Sequence, residues 1–220
     1  PNDFLLNDLL YQIGVSLIPG VGHQNGKKLI AYCGGAEAVF QEKKHNLLKI
    51  PGIGEKVVNS ILSAQVLGQA EEELQFIEKE NILAHFYLNE DYPQRLLHCD
   101  DGPIILYSKG NMDWNAEKMI SIVGTRMATV KGKAICEKLI ADLKDHNPTI
   151  VSGLAYGVDI CAHKAALKNG LPTIGIMASG LNEIYPKPHF KYAQKMQENG
   201  GIASDYISHT KLIPANFAER

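Results

Sequence analysis

Over roughly the first eighty residues, apolar positions recur at three- and four-residue spacing between glycine-containing turns, a pattern that predicts short amphipathic helices. From Asn81 the pattern changes. ILAHFYL, PIILYSKG, MISIVGT, TIVSG, PTIGIMASG and GIASDY are short apolar runs rich in β-branched residues, and each predicts a buried strand. Between the last four runs lie segments of helical periodicity: Ala128 to His146, Val158 to Asn169 and His189 to Asn199. Ile135, Leu139 and Leu143 fall on one side of the first of these and are expected to form its buried face, while Asn169, Gly170 and Pro172 stop the second. Strands alternating with helices predict a parallel sheet covered on both faces. The expected architecture is α/β, with a small all-α domain at residues 1–80 ahead of a sheet domain at residues 81–220.

Two segments of the helical region resemble each other: LIPGVGHQNGKKLI from Leu17 and KIPGIGEKVVNSIL from Lys49. Each reads apolar, Pro, Gly, apolar, Gly and then a helix start, the signature of a tandem helix-hairpin-helix pair. Paired glycines let the chain turn tightly while the amides of the following helix stay free for a phosphate, which makes Gly52, Gly54 and Lys56 a candidate secondary phosphate contact. Read alone, they are simply compact helical turns. Gly22, Gly26 and Lys27 imitate a P-loop, but three residues separate the glycines instead of four, Lys28 stands where a Ser or Thr would hold magnesium, and no strand precedes them. An ATPase is excluded on that ground.

Composition alters this picture little. The 220 residues carry a formal net charge of −2, so there is no global basic footprint. Residues 1–80 hold 7 Lys/Arg against 10 Asp/Glu and the rest 15 against 14, so any electropositive site has to be local. Cys33, Cys99, Cys136 and Cys161 lie far apart with no CxxC and no His/Cys ligand spacing, which predicts reduced thiols in a cytoplasmic protein without a metal. No stretch approaches the length of a membrane span.

In parallel sheets ligands gather beyond the carboxyl ends of the strands. Three loops fall there: Gly124-Thr125-Arg126, Ser152 to Gly157, and Ser179-Gly180 running on to Ile184-Tyr185-Pro186-Lys187. A dinucleotide site would place a second glycine where Arg126 stands and an acid at the end of the second strand, where the chain has Ser152 and Gly153. NAD and FAD are therefore excluded, and no cofactor is expected. What remains is a turn supplying amides, small hydroxyls and a forked cation suited to phosphate, with Lys131 and Lys133 one turn on. Lys187, His189 and Lys191 add charge, and Tyr156 or Tyr185 can stack on a base.

Each of these residues has a plainer explanation. Arg126 can close a loop through a salt bridge, Lys131 and Lys133 can be solvated helix charges, Asp159 can serve the dipole of the helix it begins, and Tyr185 can belong to the core. His163, among Ala162, Ala165 and Ala166, reads as a packed histidine.

DYPQRLLHCDDGPIILYSKGN, SIVGTRMATVKGK, TIVSGLAYGVDICAHKAAL, TIGIMASGLNEIYPKPH and NGGIASDY, in that order, resemble the DprA/Smf family of bacterial DNA-processing proteins over nearly all of residues 81–206. The resemblance implies an extended Rossmann-like domain that binds single-stranded DNA without sequence preference, protects incoming DNA in natural transformation, and helps load the RecA recombinase, with no catalytic reaction. It implies a DNA-contacting element at Gly124, Thr125 and Arg126 and a contacting lysine after the Tyr-Pro pair, Lys191 first and Lys187 second; Ser152, Gly153 and Gly180, in the neighbouring strand-end loops, are further candidate DNA contacts by their position. Family members often carry a basic residue where Tyr156 stands, so stacking is expected to replace a phosphate contact there. PANFAER looks like the lead-in to a further family motif, so the sheet is expected to be C-terminally incomplete and any homodimer to need the later part. Two other functions are weighed: a nucleoside monophosphate hydrolase of the lysine-decarboxylase-like Rossmann group, which lacks its PGGxGT segment here, and a protein-interaction platform without DNA affinity.

Overall fold

The computed structural model describes residues 2–219 and divides into two compact units, Pro1–Leu106 and Tyr107–Arg220.

The first unit opens with helices α1 (Asn2–Leu17), α2 (His23–Cys33), α3 (Ala36–Gln41), α4 (Lys44–Leu47), α5 (Glu55–Ile61) and α6 (Ala64–Glu80). Ile13, Val15 and Ile18 from α1 and its exit are buried, as are Leu29, Val39, Leu47, Val58 and Ile77 from the other helices. The two repeated segments adopt the same turn. Gly20 and Gly52 both take positive φ, 80° and 86°, and Gly22 and Gly54 are the extended N-caps of α2 and α5. The turns close with equivalent backbone bonds, Val21 N–H to Ile18 O and Ile53 N–H to Ile50 O. Asn81, at φ 52°, ends α6 in the left-handed region. Strand β1 (Leu83–Phe86) follows, and the chain returns into β2 (Ile105–Asn111). A Cβ on Gly26 would collide with the Ile104 side chain, so this glycine of the false P-loop permits close packing.

The second unit carries β3 (Met119–Ser121), α7 (Val130–Asp142), β4 (Thr149–Ser152), α8 (Val158–Asn169), β5 (Thr173–Ile176), α9 (Phe190–Met196), β6 (Gly200–Ser204) and α10 (Pro214–Glu219). The strand order is β1-β2-β6-β5-β4-β3. The last four strands are parallel, as their alternation with helices requires, with Ile150 opposite Ile120 and Thr173, and Gly175 opposite Ile202. β2 runs antiparallel to β6, pairing Tyr107 with Ser204.

One helix face differs from expectation. The side of α7 that packs is Cys136 and Ile140, not Ile135 and Leu139, which are exposed together with Val123, Met127 and Val130. The reason lies in α8: its Cys161, Ala162, Ala165 and Ala166 form a surface of small side chains, and Cys136 and Ile140 fill it with Ile150 and Leu171. Both sets obey four-residue spacing, so periodicity alone could not choose between them. His163 is packed, as its alanine-rich setting suggests: its Nδ1 lies 2.7 Å from Thr173 Oγ1, which itself donates to Ile150 O at 2.9 Å. Thr173 Oγ1 must then accept, which fixes the Nδ1–H tautomer of a neutral imidazole. Burial first, and the charge of nearby His189 second, push the His163 pKa down to about 3.

Candidate functional site

At the carboxyl ends of β3, β4 and β5 the loops are locked by glycines and short hydrogen bonds. Gly124 leaves no room for a Cβ beside Val158 at the start of α8. Gly157, at φ 83°, is pressed against the backbone of Thr125 and Arg126, and Val158 N–H donates to Thr125 O at 3.1 Å. Thr125 Oγ1 accepts from Met127 N–H at 3.1 Å, fixing the turn that carries Arg126. Asp159, buried in the first turn of α8, accepts from Gly153 N–H at 3.1 Å. Ser152 Oγ donates to Ile122 O at 2.7 Å. That bond ties the ends of β3 and β4, so the buried hydroxyl works within the scaffold.

These loops surround a cavity of about 20 Å³, lined by Arg126, Gly153, Tyr156, Ser179, Tyr185 and Phe217 among others. That is room for about one water-sized group. The Arg126 guanidinium lies over the Phe217 ring, 4.7 Å from its centroid. Among the described residues it has no hydrogen bond or ion pair, so the salt bridge that would have made it a loop closure is absent. Stacking covers the face of the guanidinium and leaves its in-plane N–H donors available. Ser179, 7% exposed, has a buried Oγ without a partner among the described residues. Tyr185 is 47% exposed and lines the cavity, so it is not a core residue.

Phe217 carries no signal in the sequence. It comes from α10, in the PANFAER segment, and Asn216 beside it anchors that helix by donating to Ala178 O at 3.1 Å. An aromatic residue near the chain end has no informative spacing; only the fold brings it to Arg126.

The other candidates lie outside the cavity. Lys131 and Lys133 are exposed on α7. Gly180 abuts the backbone of Ile207 and Ser208, a close approach that a Cβ would prevent. Lys187 is exposed and bridged to Glu183 at 3.4 Å. Lys191 sits on α9 with its Nζ 5.1 Å from the Tyr192 ring centroid. Tyr156 packs edge-on against His189 at 5.0 Å, and His189 Nδ1 donates to Leu154 O at 2.7 Å. Gly52 and Gly54 form the exposed turn ahead of α5, and Lys56 is exposed on that helix.

The sequence profile of the family described as DNA recombination-mediator protein A matches residues 83–220. The chain belongs to this family. DNA processing protein DprA of Streptococcus pneumoniae is 36% identical over 133 residues, which are 60% of this chain and 47% of that protein. Protein Smf of Synechocystis is 29% identical over 219 residues, 96% of this chain and 54% of that protein. The chain thus spans about half the length of these curated relatives. Among solved structures, DprA of Streptococcus pneumoniae superposes with a TM-score of 0.71 at 27% identity, covering 96% of this chain and 72% of that one. A Helicobacter pylori DprA structure, reported for its single-stranded DNA binding mode, gives 0.54 at 32% identity over 61% of this chain and 63% of that one. The Streptococcus pneumoniae structure, matched over 96% of this chain, therefore shares both the α/β architecture and the helical region ahead of it. Among the described residues, no helix is long and apolar enough to cross a membrane.

Proposed function

We propose that this chain is a sequence-independent single-stranded DNA-binding protein that protects DNA and helps load the RecA recombinase, working in the cytoplasm and without catalysing a reaction. The observation that carries the DNA reading is Arg126: a guanidinium without an ion pair among the described residues, stacked on Phe217 at the mouth of a cavity that also holds the partnerless Ser179 hydroxyl. Forked donors beside a hydroxyl suit a phosphate oxygen. Gly124 and Thr125 set the turn, Gly153 and Tyr156 form the adjoining wall, and Lys191 extends the positive surface. The cavity lining contains no carboxylate, the group that a nucleotide hydrolase of that kind would need there. Gly52, Gly54 and Lys56 offer a weaker second phosphate contact in the helical unit. The RecA role and a homodimer through the later part of the family's Rossmann-like domain rest on family membership.

The test is a salt-dependent titration of labelled oligonucleotides. Arg126→Ala should weaken binding by about tenfold or more for every sequence alike, as expected for losing a charge-assisted hydrogen bond. It should also flatten the plot of log affinity against log salt by about 0.7, the slope that one neutralised phosphate supplies. Unchanged affinity in a folded variant removes Arg126 from the interface.

A further inference from the structure

Lys164, on α8, lies with its Nζ 4.7 Å from the centroid of the Tyr192 ring on α9, and Lys191 lies 5.1 Å from the same centroid. We propose that Lys164, Lys191 and Tyr192 form a second single-stranded DNA subsite, taking a backbone phosphate between the two ammonium groups and a base beside the ring. The proposal rests on the DNA reading of the Arg126 cavity and adds to it the direction in which the strand leaves.

Charge is the first argument. Both ammonium groups lie close enough to one ring centroid to fall within about 10 Å of each other, the screening length of roughly 0.1 M salt, so their repulsion is incompletely screened. Neither has a carboxylate partner among the described residues. Lys187, by contrast, is already paired with Glu183. An anion between Lys164 and Lys191 would relieve a repulsion that the fold itself leaves in place. The phenol of Tyr192 senses the same field: desolvation alone would raise its pKa, yet hydrogen bonding and charge from Lys164, helped by Lys191, bring it below the usual tyrosine value.

Connectivity is the second argument. Tyr156 lines the Arg126 cavity and packs edge-on against His189. The His189 ring is fastened to Leu154 O in the same loop, and α9 begins at the next residue. The first turn of α9, with Lys191 and Tyr192, is therefore held in register with the wall of the cavity. Phe190, 52% exposed, adds an aromatic surface to this stretch. A cation, an aromatic wall and then paired cations around a second aromatic ring match what a single strand presents, since phosphates and bases alternate along it.

The subsite is tested by comparing oligothymidylates of about 4 and about 15 nucleotides, lengths chosen below and near the span of a typical single-strand site. Each is titrated across a salt series against the unmodified chain, Lys164→Ala, Tyr192→Leu and Arg126→Ala. Lys164 and Tyr192 each contribute to the longer oligonucleotide only, so their variants should bind it about fivefold or more weakly and leave the shorter one within about twofold. Lys164→Ala should also lower the salt slope for the longer strand by about 0.7. Should Tyr192→Leu fail to fold, the exposed Lys164→Ala decides alone. Unchanged long-strand affinity and slope in Lys164→Ala, with Arg126→Ala still weakened, overturns the subsite and leaves the DNA reading standing. Equal weakening at both lengths also overturns it, because the cluster would then not be a separate contact. If Arg126→Ala binds both lengths normally, the DNA reading at the cavity falls.

Discussion

The turn at Gly52 to Gly54 and the turn at Gly124 to Arg126 begin from similar ingredients: glycine, free backbone amides, a helix ahead and a basic residue within a few positions. In the helical unit those ingredients stay local. Gly54 caps a seven-residue helix whose first turn already carries Glu55, and Lys56 points to solvent. In the sheet unit, neighbouring loops and α10 converge on the turn, so Arg126 is aligned by the Phe217 ring and faces Tyr156, Ser179 and Gly153 across a cavity. A glycine turn supplies a backbone conformation. A site also needs side chains from elsewhere in the sequence, and the strand ends of a parallel sheet are where the topology collects them.

The sharpest way to separate the two regions is the same substitution at one glycine of each: Gly157, in the loop pressed against the backbone of Thr125 and Arg126, and Gly52 in the helical turn. Gly157→Ala should destabilise the sheet unit by more than about 3 kcal/mol, because positive φ is compounded by a Cβ driven into the backbone of Thr125 and Arg126, which cannot rotate away. Gly52→Ala should cost about 1 kcal/mol, the left-handed penalty alone, since the nearest atom to the new Cβ is Asn25 Oδ1 at 3.5 Å. Chemical denaturation of both variants checks this. Equal losses would mean that the strand-end loops yield as easily as the helical turn.

Acid should separate the units next. His163 is buried neutral in the sheet unit, with its pKa pushed down to about 3 from an ordinary 6.5. Between those values the unfolded chain binds the proton that the folded chain refuses. Stability is therefore fully present above the ordinary value and falls as pH drops below it, by about 1.4 kcal/mol per pH unit at most. Denaturation midpoints at pH 7 and pH 5 should show the loss in the wild type, and a folded His163→Asn variant should lose that part of the pH dependence.

What could be read in the sequence follows the same division. The strands, the parallel order of the last four and the limits of α8 were legible because their signals are local: β-branched runs, and glycine or proline stops. The tandem turns were legible for the same reason, down to matching φ at Gly20 and Gly52. Arg126 stood out as a candidate because it stands where a dinucleotide site would require a glycine. Ile135 and Leu139 misled because two adjacent stripes of α7 share one spacing, and the small residues of α8 decide between them. Ser152 looked like a ligand contact by its place at a strand end, but a hydroxyl there can as well tie two strands together. Phe217, and Lys164 opposite Tyr192, carry no local signal, since each acquires its role from a partner distant in sequence.

The smallest effect belongs to Lys56, and it tests the comparison most directly. Its side chain is exposed and makes no hydrogen bond or ion pair among the described residues, so Lys56→Ala should change stability by less than about 0.5 kcal/mol. If the turn contributes one solvated phosphate contact, DNA affinity should fall by about twofold and the salt slope by no more than about 0.7. That is well short of the loss expected for Arg126→Ala, whose guanidinium is aligned by the Phe217 ring beside the Ser179 hydroxyl. Parity between the two variants in the same titration would show that a glycine turn and one cation suffice, and that the convergence around Arg126 contributes shape without affinity.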